Sequence, residues 1–438
     1  MKQYTLLLLA CLLLPIGVSA QGKPAKWTLQ DCLDYALEHN IQVKKSKINL
    51  LSGEEDLQQA KARLFPSLSA SASENFANYP SGETANNNAF SSSLNLSANW
   101  TLFDGGRRSN AIKQQEIQKQ VNDLSIEKSE NDIQISLVQT YMQVLYATEA
   151  VRINQNNVEV SKAQRDRAEE LFKAGSISAV DLAQLESQHS SDKYQLVVQQ
   201  KNLDNYKLQL KQLLELDIME EMELVIPELT DSDVLTPLPN KEIIYNNSLG
   251  VMPEIKSSEL AVDKAELEIK RAKAGYLPSL ALNAGVSTGY TTGMGNSFDT
   301  QVWNRLNESV GLTLSIPIYS NRDNKTAVNK ARLSAENSQL EYQNSQKNLL
   351  KTVEGVYLDA TSSQNQYISA TERLKYVEKS FNLTQEQFFL GMKNTLELLT
   401  ETNNYLNSQQ EVLQSKYMSI MSIQLLNIYQ KRPVEIGY

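Results

Sequence analysis

Residues 107–174 read RRSNAIKQQEIQKQVNDLSIEKSENDIQISLVQTYMQVLYATEAVRINQNNVEVSKAQRDRAEELFKA. The stretch contains neither glycine nor proline, and apolar side chains recur at steps of three and four residues, as in Ile117, Val121 and Leu124. That spacing predicts an α-helix. A helix of this length would be roughly 100 Å long at about 1.5 Å per residue. It is too long to fold within one compact domain, and too polar to cross a bilayer.

The pattern of this stretch returns later in the chain. A second stretch of almost equal length spans residues 322–390, and Gly391 ends it as Gly175 ends the first. FPSL at 65–68 precedes the first rod, and LPSL at 277–280 precedes the second. We therefore predict two copies of one unit, helix–strand–strand–helix–helix. The predicted divisions are a first repeat at 21–226, a linker with three prolines at 227–240 and a second repeat at 241–438.

A helix is also predicted after each glycine turn, and apolar residues recur along this helix at steps of seven. Leu182, Leu196 and Leu203 show this spacing in the first repeat, with His189 between them. A seven-residue seam is typical of a coiled coil. Each rod is therefore expected to pair with shorter antiparallel helices, and the glycine turns are expected to meet at one end.

Two pairs of short segments alternate between apolar and polar residues, which predicts β-strands with one apolar face. The predicted strands are about 66–77, 91–103, 279–290 and 308–319. Their length is close to the roughly 9 to 11 residues that a tilted strand needs to cross a bilayer. The alternative that the pattern leaves open is an ordinary soluble sheet.

Aromatic residues lie near both ends of the predicted strands, as in the interfacial girdles of membrane proteins. Those in the predicted girdle are Trp100, Phe103 and Tyr319 on the helix side, with Tyr290 and Trp303 on the loop side.

Four strands cannot close on themselves, and an open sheet edge in lipid leaves backbone groups without hydrogen bonds. Several chains must therefore contribute. Two chains would give a filled eight-stranded barrel, whereas three would give twelve strands and leave a lumen. The predicted fold is mainly α with a small transmembrane β part: a trimeric 12-stranded β-barrel, four strands per chain, continued by a long α-helical coiled-coil tunnel.

The first residues have the pattern of a secretory leader. Lys2 is followed by an apolar core at 6–14 and by small residues up to Ala20, which predicts a signal peptide at 1–20. A faint lipoprotein pattern at Cys11 is the alternative. After the leader there is no run of about 20 apolar residues, so no transmembrane helix is predicted.

The composition argues against several functional classes. The net charge of −9 disfavours a nucleic-acid partner. After the leader, Cys32 is the one cysteine, so neither an intrachain disulfide nor a cysteine-based metal site is expected. His39 and His189 are the two histidines, and no nucleophile or phosphate-loop motif is present. We therefore predict no catalytic residue, no cofactor, no metal site and no enzymatic activity.

Several short motifs occur in a set order: Ala36, Leu37 and Asn40, the two Pro-Ser-Leu motifs, LFDGGR at 102–107, and the paired glycine turns. In this order the chain resembles the TolC-like outer-membrane efflux proteins over nearly all of its mature length. The resemblance implies a homotrimer with its barrel in outer-membrane lipid and its helical tunnel in the periplasm. It further implies tip-to-tip docking with a periplasmic adaptor (membrane fusion protein) that an inner-membrane transporter drives.

The implied function is an exit duct of a tripartite system that passes small molecules to the exterior. Type I protein secretion and metal efflux remain alternatives, as does a structural coiled-coil surface protein. The sequence does not identify the transported substrate.

The resemblance also implies functional residues at the glycine-turn end. Glu397 and Thr400 match the positions of an acidic ring that closes the tunnel in the family. Glu401 directly follows Thr400. Asp181 is the equivalent of Glu397 in the first repeat. For both Asp181 and Glu397 the alternative is stabilisation of a helix N-terminus. Lys393 and Lys416 are possible partners in the closed state. The expected adaptor-docking tips are 174–178 and 390–395, which include Gly175, Ser176, Gly391, Met392 and Lys393.

Overall fold

The computed structural model describes residues 26–80, 88–217 and 219–436. The predicted signal peptide and Cys11 lie outside the described residues. The first half contains α1 (Leu29–His39), α2 (Ile41–Ala62), β1 (Ser67–Asn78), β2 (Asn88–Phe103), α3 (Arg107–Lys173) and α4 (Ala179–Leu213). The second half contains α5 (Asp231–Val234), α6 (Lys241–Val251), α7 (Pro253–Lys273), β3 (Ser279–Thr291), α8 (Phe298–Asn304), β4 (Asn307–Ser315), α9 (Asp323–Phe389) and α10 (Thr395–Tyr429).

The two rods, α3 and α9, are each 67 residues long. Each rod begins after a residue in the left-handed region, Gly106 at φ 84° or Arg322 at φ 72°. Each ends before a glycine, Gly175 or Gly391, with φ 72° in both cases. Glycine adopts this conformation without the steric cost that a Cβ imposes, and it therefore ends the rods where the sequence predicts.

The shorter helices lie along the rods. Helices α2 and α4 pack on α3, while α7 and α10 pack on α9. Contacts of α3 with α7 and α10 join the two halves of the chain. This arrangement agrees with the prediction that each rod pairs with shorter helices.

The four strands form one antiparallel sheet in the order β1-β2-β3-β4, which confirms the mainly helical fold with four strands per chain. The central pair joins the repeats, with Leu96 opposite Val286. Strand β4 ends at Ser315, so the prediction that it extends to residue 319 is wrong. Pro317 has no backbone N–H to donate to a neighbouring strand, which explains why the pairing stops.

The largest apolar core lies around the middle of the rods, where α1 covers α3. Leu137, Tyr141 and Leu145 of α3 are buried together with Trp27 and Cys32. A short parallel bridge fixes this region, since Trp27 donates its backbone N–H to Glu223 O at 2.8 Å. We call this core the belt. Within the described part of the chain, no helix has the length and apolarity needed to cross a membrane.

Candidate functional site

The two glycine turns lie side by side at the end of the molecule opposite the sheet. Four buried residues form an apolar cluster there: Ala168 of α3, Leu185 of α4, Phe388 of α9 and Leu398 of α10. Because each helix contributes one of these residues, the cluster joins the two hairpins into a four-helix end. We call the region formed by this cluster and the residues 174–178 and 390–395 the helix tips.

Asp181 caps the start of α4. The Ser178 hydroxyl donates to the Asp181 carboxylate at 2.7 Å, and the backbone N–H of Asp181 donates to Ser178 Oγ at 3.1 Å. The hydroxyl of Thr395, which is 2% exposed, lies on the side of the other hairpin and also stabilises the charged carboxylate. The Ser178 hydroxyl, followed by Thr395, lowers the pKa of Asp181. The carboxylate therefore caps its own helix and also contacts the other hairpin.

Glu397 occupies the equivalent position on α10. Its backbone N–H donates to Asn394 Oδ1 at 2.9 Å, and its carboxylate accepts from the backbone N–H of Asn394 at 3.1 Å. Lys393 Nζ lies 2.5 Å from Glu397 Oε1. Lys393 is the main cause of the lowered pKa of Glu397. The carboxylate stays 41% exposed, so it can still face a neighbouring chain or solvent.

The other residues predicted for the gate make only local contacts. Thr400 donates its hydroxyl to Leu396 O at 2.7 Å, and Glu401 accepts from Asn404 Nδ2 at 3.4 Å. Both contacts lie within α10. The structure therefore places Thr400 and Glu401 one turn beyond Glu397 without joining them to Asp181.

Lys416 lies far from the helix tips. Its ammonium donates to Leu229 O at 3.0 Å, next to the belt. It is nineteen residues beyond Glu397 on α10, which is about 28 Å along a helix. The prediction that Lys416 pairs at the gate is wrong for this chain, whereas Lys393 does pair with Glu397.

A buried polar layer crosses the α3–α4 hairpin above the helix tips. Ser161 Oγ lies 3.1 Å from His189 Nδ1, and Gln188 donates to Asp192 Oδ1 at 2.9 Å. Burial lowers the pKa of His189 and raises the pKa of Asp192. His189 is 3% exposed, so in the described chain it packs inside the hairpin.

The aromatic residues of the predicted girdle lie near the two edges of the sheet. Trp100 Nε1 donates to Leu64 O at 2.8 Å, at the end where the helices begin. At the other end, the ring of Tyr290 lies between Phe90 and Phe298, with centroid distances of 6.4 and 5.3 Å. Trp303 is 76% exposed and belongs to the short helix α8.

The remaining girdle residues are also exposed in the single chain. Tyr319 is 84% exposed and follows the end of β4, while Phe103 is 48% exposed at the end of β2. Both therefore lie at the helix side of the sheet. Within the described residues, no three His, Cys, Asp or Glu side chains come close enough together to hold a metal ion.

Thr395 lies at the end of the predicted tip 390–395, but sequence reasoning missed its interaction with Asp181. It is the first residue of α10 and carries no motif of its own. Only the packing of the two hairpins brings its hydroxyl to Asp181, so no local pattern would have identified it.

A family model described as outer membrane efflux protein matches residues 32–215 and 244–426. The chain belongs to the outer membrane efflux protein family. The two matched segments correspond to the two halves of the structure. As a member of this non-enzymatic family, the protein is an outer membrane efflux channel with a periplasmic helical extension.

Individual members of the efflux family are distant in sequence. Outer membrane protein TolC of Escherichia coli K12 is 22% identical over 385 residues, which cover 86% of this chain and 77% of TolC. Proteases secretion protein PrtF of Dickeya chrysanthemi is 22% identical over 430 residues, covering 92% of this chain and 88% of PrtF.

The same fold occurs in a solved structure of CusC. It superimposes with a TM-score of 0.79 at 18% identity and covers 94% of each chain. In sequence, cation efflux system protein CusC of Escherichia coli K12 is 23% identical over 389 residues, covering 87% of this chain and 81% of CusC. At this identity the structural likeness establishes the fold.

Proposed function

We propose that three copies of this chain assemble into one duct, with a twelve-stranded barrel in the outer membrane and a helical tunnel in the periplasm. The observation that carries the proposal is the open sheet. Strands β1 and β4 each pair on one side within the described chain, and the sheet exposes large apolar side chains. Leu68 is 71% exposed on β1 and Val310 is 79% exposed on β4.

Joining β4 of one copy to β1 of the next satisfies the backbone groups at both edges. Lipid then covers the apolar face, as it does in other membrane barrels. Twelve strands leave a lumen, which the rods continue. Membership of the efflux family supports the trimer.

The proposed partners are a periplasmic adaptor at the helix tips and an inner-membrane transporter that supplies the energy. The turns are suited to close packing because Gly175 has open space around its Cβ position and Met392 is 70% exposed. A helix hairpin can also serve as a docking surface, so the two interpretations of these turns do not conflict. The proposed docking residues are Gly175, Ser176, Gly391, Met392 and Lys393.

The proposed gate is formed by the acids at the helix tips. Glu397 is its main residue because three copies around an axis would bring three partly exposed carboxylates close together, where they would repel one another and attract cations. Asp181 positions the neighbouring hairpin through Thr395. Thr400 and Glu401, one turn beyond Glu397 on α10, complete the proposed gate.

The proposed cargo is small molecules. Protein secretion and metal efflux remain second candidates, since the relatives include a proteases secretion protein and a cation efflux protein. Sensitivity of a deletion strain to a panel of toxic small molecules and metal ions, with and without the gene restored, distinguishes these cargoes. Secreted protein in the medium is measured in the same strains.

Purified full-length protein tests the channel. We expect it to require detergent, to have the mass of three chains, and to form discrete conductance steps in a planar bilayer. A soluble monomer in buffer without detergent would contradict the proposal.

A further inference from the structure

Positive charge is concentrated where the helices meet the sheet. The four connecting segments at this level are 59–65, 104–113, 268–277 and 320–332. Together they contain twelve lysines and arginines and three acids, a net charge of +9 in a chain whose total is −9. We call these four segments the basic collar.

The sheet register places all four segments at one level. Ser67 is paired with Asn99, and Ser279 with Ser315, so the helix-side ends of the strands are aligned. Side chains then join neighbouring segments. Arg108 Nη1 donates to Arg63 O at 3.1 Å, and Asn324 Nδ2 donates to Gly275 O at 2.7 Å. The positive charges therefore form a band rather than isolated sites.

Two adjacent clefts open within the basic collar, and both are lined by Arg107 and Arg271. The first, of about 420 Å³, lies between α2, α3 and α7, and its charged lining also includes Arg63, Arg108 and one acid, Asp56. The second, of about 430 Å³, lies between α7 and α9, and its charged lining also includes Lys330 and one acid, Glu268. A guanidinium group binds phosphate through two parallel N–H donors, so the clefts have the chemistry of a phosphate site.

Some of these cations are already paired and others are available. Arg108 lies 2.9 Å from Asp104, and Arg271 lies 3.0 Å from Glu268. Within the described residues the guanidinium of Arg107 has no ion pair or hydrogen bond of its own. Arg107 is also the first residue of α3, where the Asp104 carboxylate already accepts the backbone N–H of Arg108 at 3.1 Å. An anion there would therefore meet the free guanidinium of Arg107 beside a helix N-terminus that is partly capped.

The position of Trp100 indicates which side of the barrel wall the first cleft faces. Trp100 shares the apolar face of β2 with Leu94 and Leu96, since side chains alternate along a strand. The apolar face of a membrane barrel is the face in contact with lipid. Trp100 donates to Leu64 O, next to Arg63, so the end of α2 that lines the cleft packs on the lipid-facing side.

We propose that the basic collar binds the phosphate groups of anionic phospholipids in the leaflet from which the helices emerge. The proposal rests on the membrane placement given under Proposed function. Basic side chains close to a membrane surface attract anionic lipids, and each contributes about fivefold to the association. The collar would fix the depth and tilt of the barrel, while the aromatic residues anchor it at the apolar boundary.

The test measures the lipid that the full-length trimer retains. Trimers are reconstituted in bilayers of phosphatidylcholine and phosphatidylglycerol, extracted in a mild non-ionic detergent, and the retained lipids are counted by native mass spectrometry. We expect phosphatidylglycerol to be enriched over its share in the bilayer. In Arg107→Gln/Arg271→Gln the enrichment should fall by about fivefold or more.

Two further variants control for charge and geometry. Lys375→Gln/Lys379→Gln removes the same charge from exposed positions of α9 distant from the sheet, and should retain the wild-type enrichment. Arg107→Lys/Arg271→Lys keeps the charge but loses the paired donors, and should give an intermediate value. Each variant is first shown to form conducting trimers, so loss of the channel is distinguished from loss of lipid binding.

Three outcomes would overturn the proposal. The first is equal phosphatidylglycerol enrichment in wild type and in Arg107→Gln/Arg271→Gln. The second is binding of inorganic phosphate by calorimetry, lost in that variant, without any lipid enrichment, because the site would then take a free anion. The third is a change in the cation-to-anion selectivity of the channel with unchanged lipid retention, because the arginines would then face the lumen.

Discussion

Thr395, the first residue of α10, lowers the pKa of Asp181 in the first turn of α4 by stabilising its charged carboxylate. This interaction connects the two hairpins at the helix tips, beside the apolar cluster that all four helices share. The two acids at equivalent positions therefore differ in role. Asp181 contacts the other hairpin, whereas Glu397 pairs with Lys393 on its own hairpin.

Thr395→Val should weaken the closed arrangement of the tips. Valine has nearly the same shape but no hydroxyl, so the variant loses the stabilisation of the charged Asp181 carboxylate, up to about 1 kcal/mol, while Ser178 still caps α4. We expect a higher open probability in planar bilayers. Thr402→Val is the matched control, because the Thr402 hydroxyl bonds to Leu398 O of its own helix at 2.8 Å and the residue is not part of the proposed gate. Equal open probability in both variants would mean that the Thr395 hydroxyl does not help to hold the helix tips closed.

Removing the charge of Glu397 should increase conductance and weaken block by divalent cations. Glu397→Gln keeps a side chain that can cap α10 but abolishes the carboxylate that three copies would present. Single-channel currents with and without magnesium measure both effects. Asp181→Asn removes an equivalent charge from the first hairpin and should leave the divalent block largely intact. An unchanged current and block in Glu397→Gln would exclude the residue from the gate.

Acidification should loosen the helix tips. The pKa values of Asp181 and Glu397 are lowered in the folded protein from ordinary values of 3.8 and 4.5. A lowered pKa contributes stability that is fully present above the ordinary value and is lost as the pH falls through the folded value. We therefore expect open probability to stay constant above about pH 5 and to rise below about pH 4. The rise should be smaller in Asp181→Asn/Glu397→Gln, and an identical pH profile would contradict this assignment.

The sequence predicts those features that depend on periodicity or on a single residue type. The rods follow from the absence of glycine and proline, and their ends follow from Gly175 and Gly391. Strand pairing follows from two-residue alternation, but the end of β4 depends on the missing N–H of Pro317.

Features that depend on packing between distant segments could not be predicted in this way. The contact of Thr395 with Asp181 joins residues more than two hundred positions apart. Lys416 has the charge expected of a partner in the closed state, yet its ammonium donates to Leu229 O near the belt. Charge type alone does not specify position along a helix of 35 residues.

Gln164→Leu should stabilise the protein. Gln164 is fully buried in the α3–α4 hairpin, and neither its amide nitrogen nor its amide oxygen has a hydrogen-bond partner among the described residues. Leucine of similar volume removes the cost of burying these polar groups, about 1–3 kcal/mol. The midpoint of thermal unfolding of the detergent-solubilised trimer should rise.

Gln114→Leu is the matched control for that substitution. Gln114 is also buried, but its amide donates to Lys264 O at 3.2 Å and to Glu268 Oε2 at 3.0 Å. The same change there should lower the unfolding midpoint. Destabilisation by both substitutions would mean that Gln164 has a partner in the trimer.

Gly175→Ala should destabilise the first tip through its backbone alone. Gly175 has φ 72°, and no atom lies within 4 Å of the position that a Cβ would occupy. The left-handed conformation costs an L-residue about 1–2 kcal/mol, and no clash adds to that cost. Gly355→Ala is the matched control: it also has open space at its Cβ position but lies inside α9, where alanine is favoured over glycine by about 1 kcal/mol. Thermal unfolding midpoints should therefore shift in opposite directions. If both unfolding midpoints fell by the same amount, another chain would fill the space around Gly355 in the assembly. The cost at Gly175 would then also include packing against another chain.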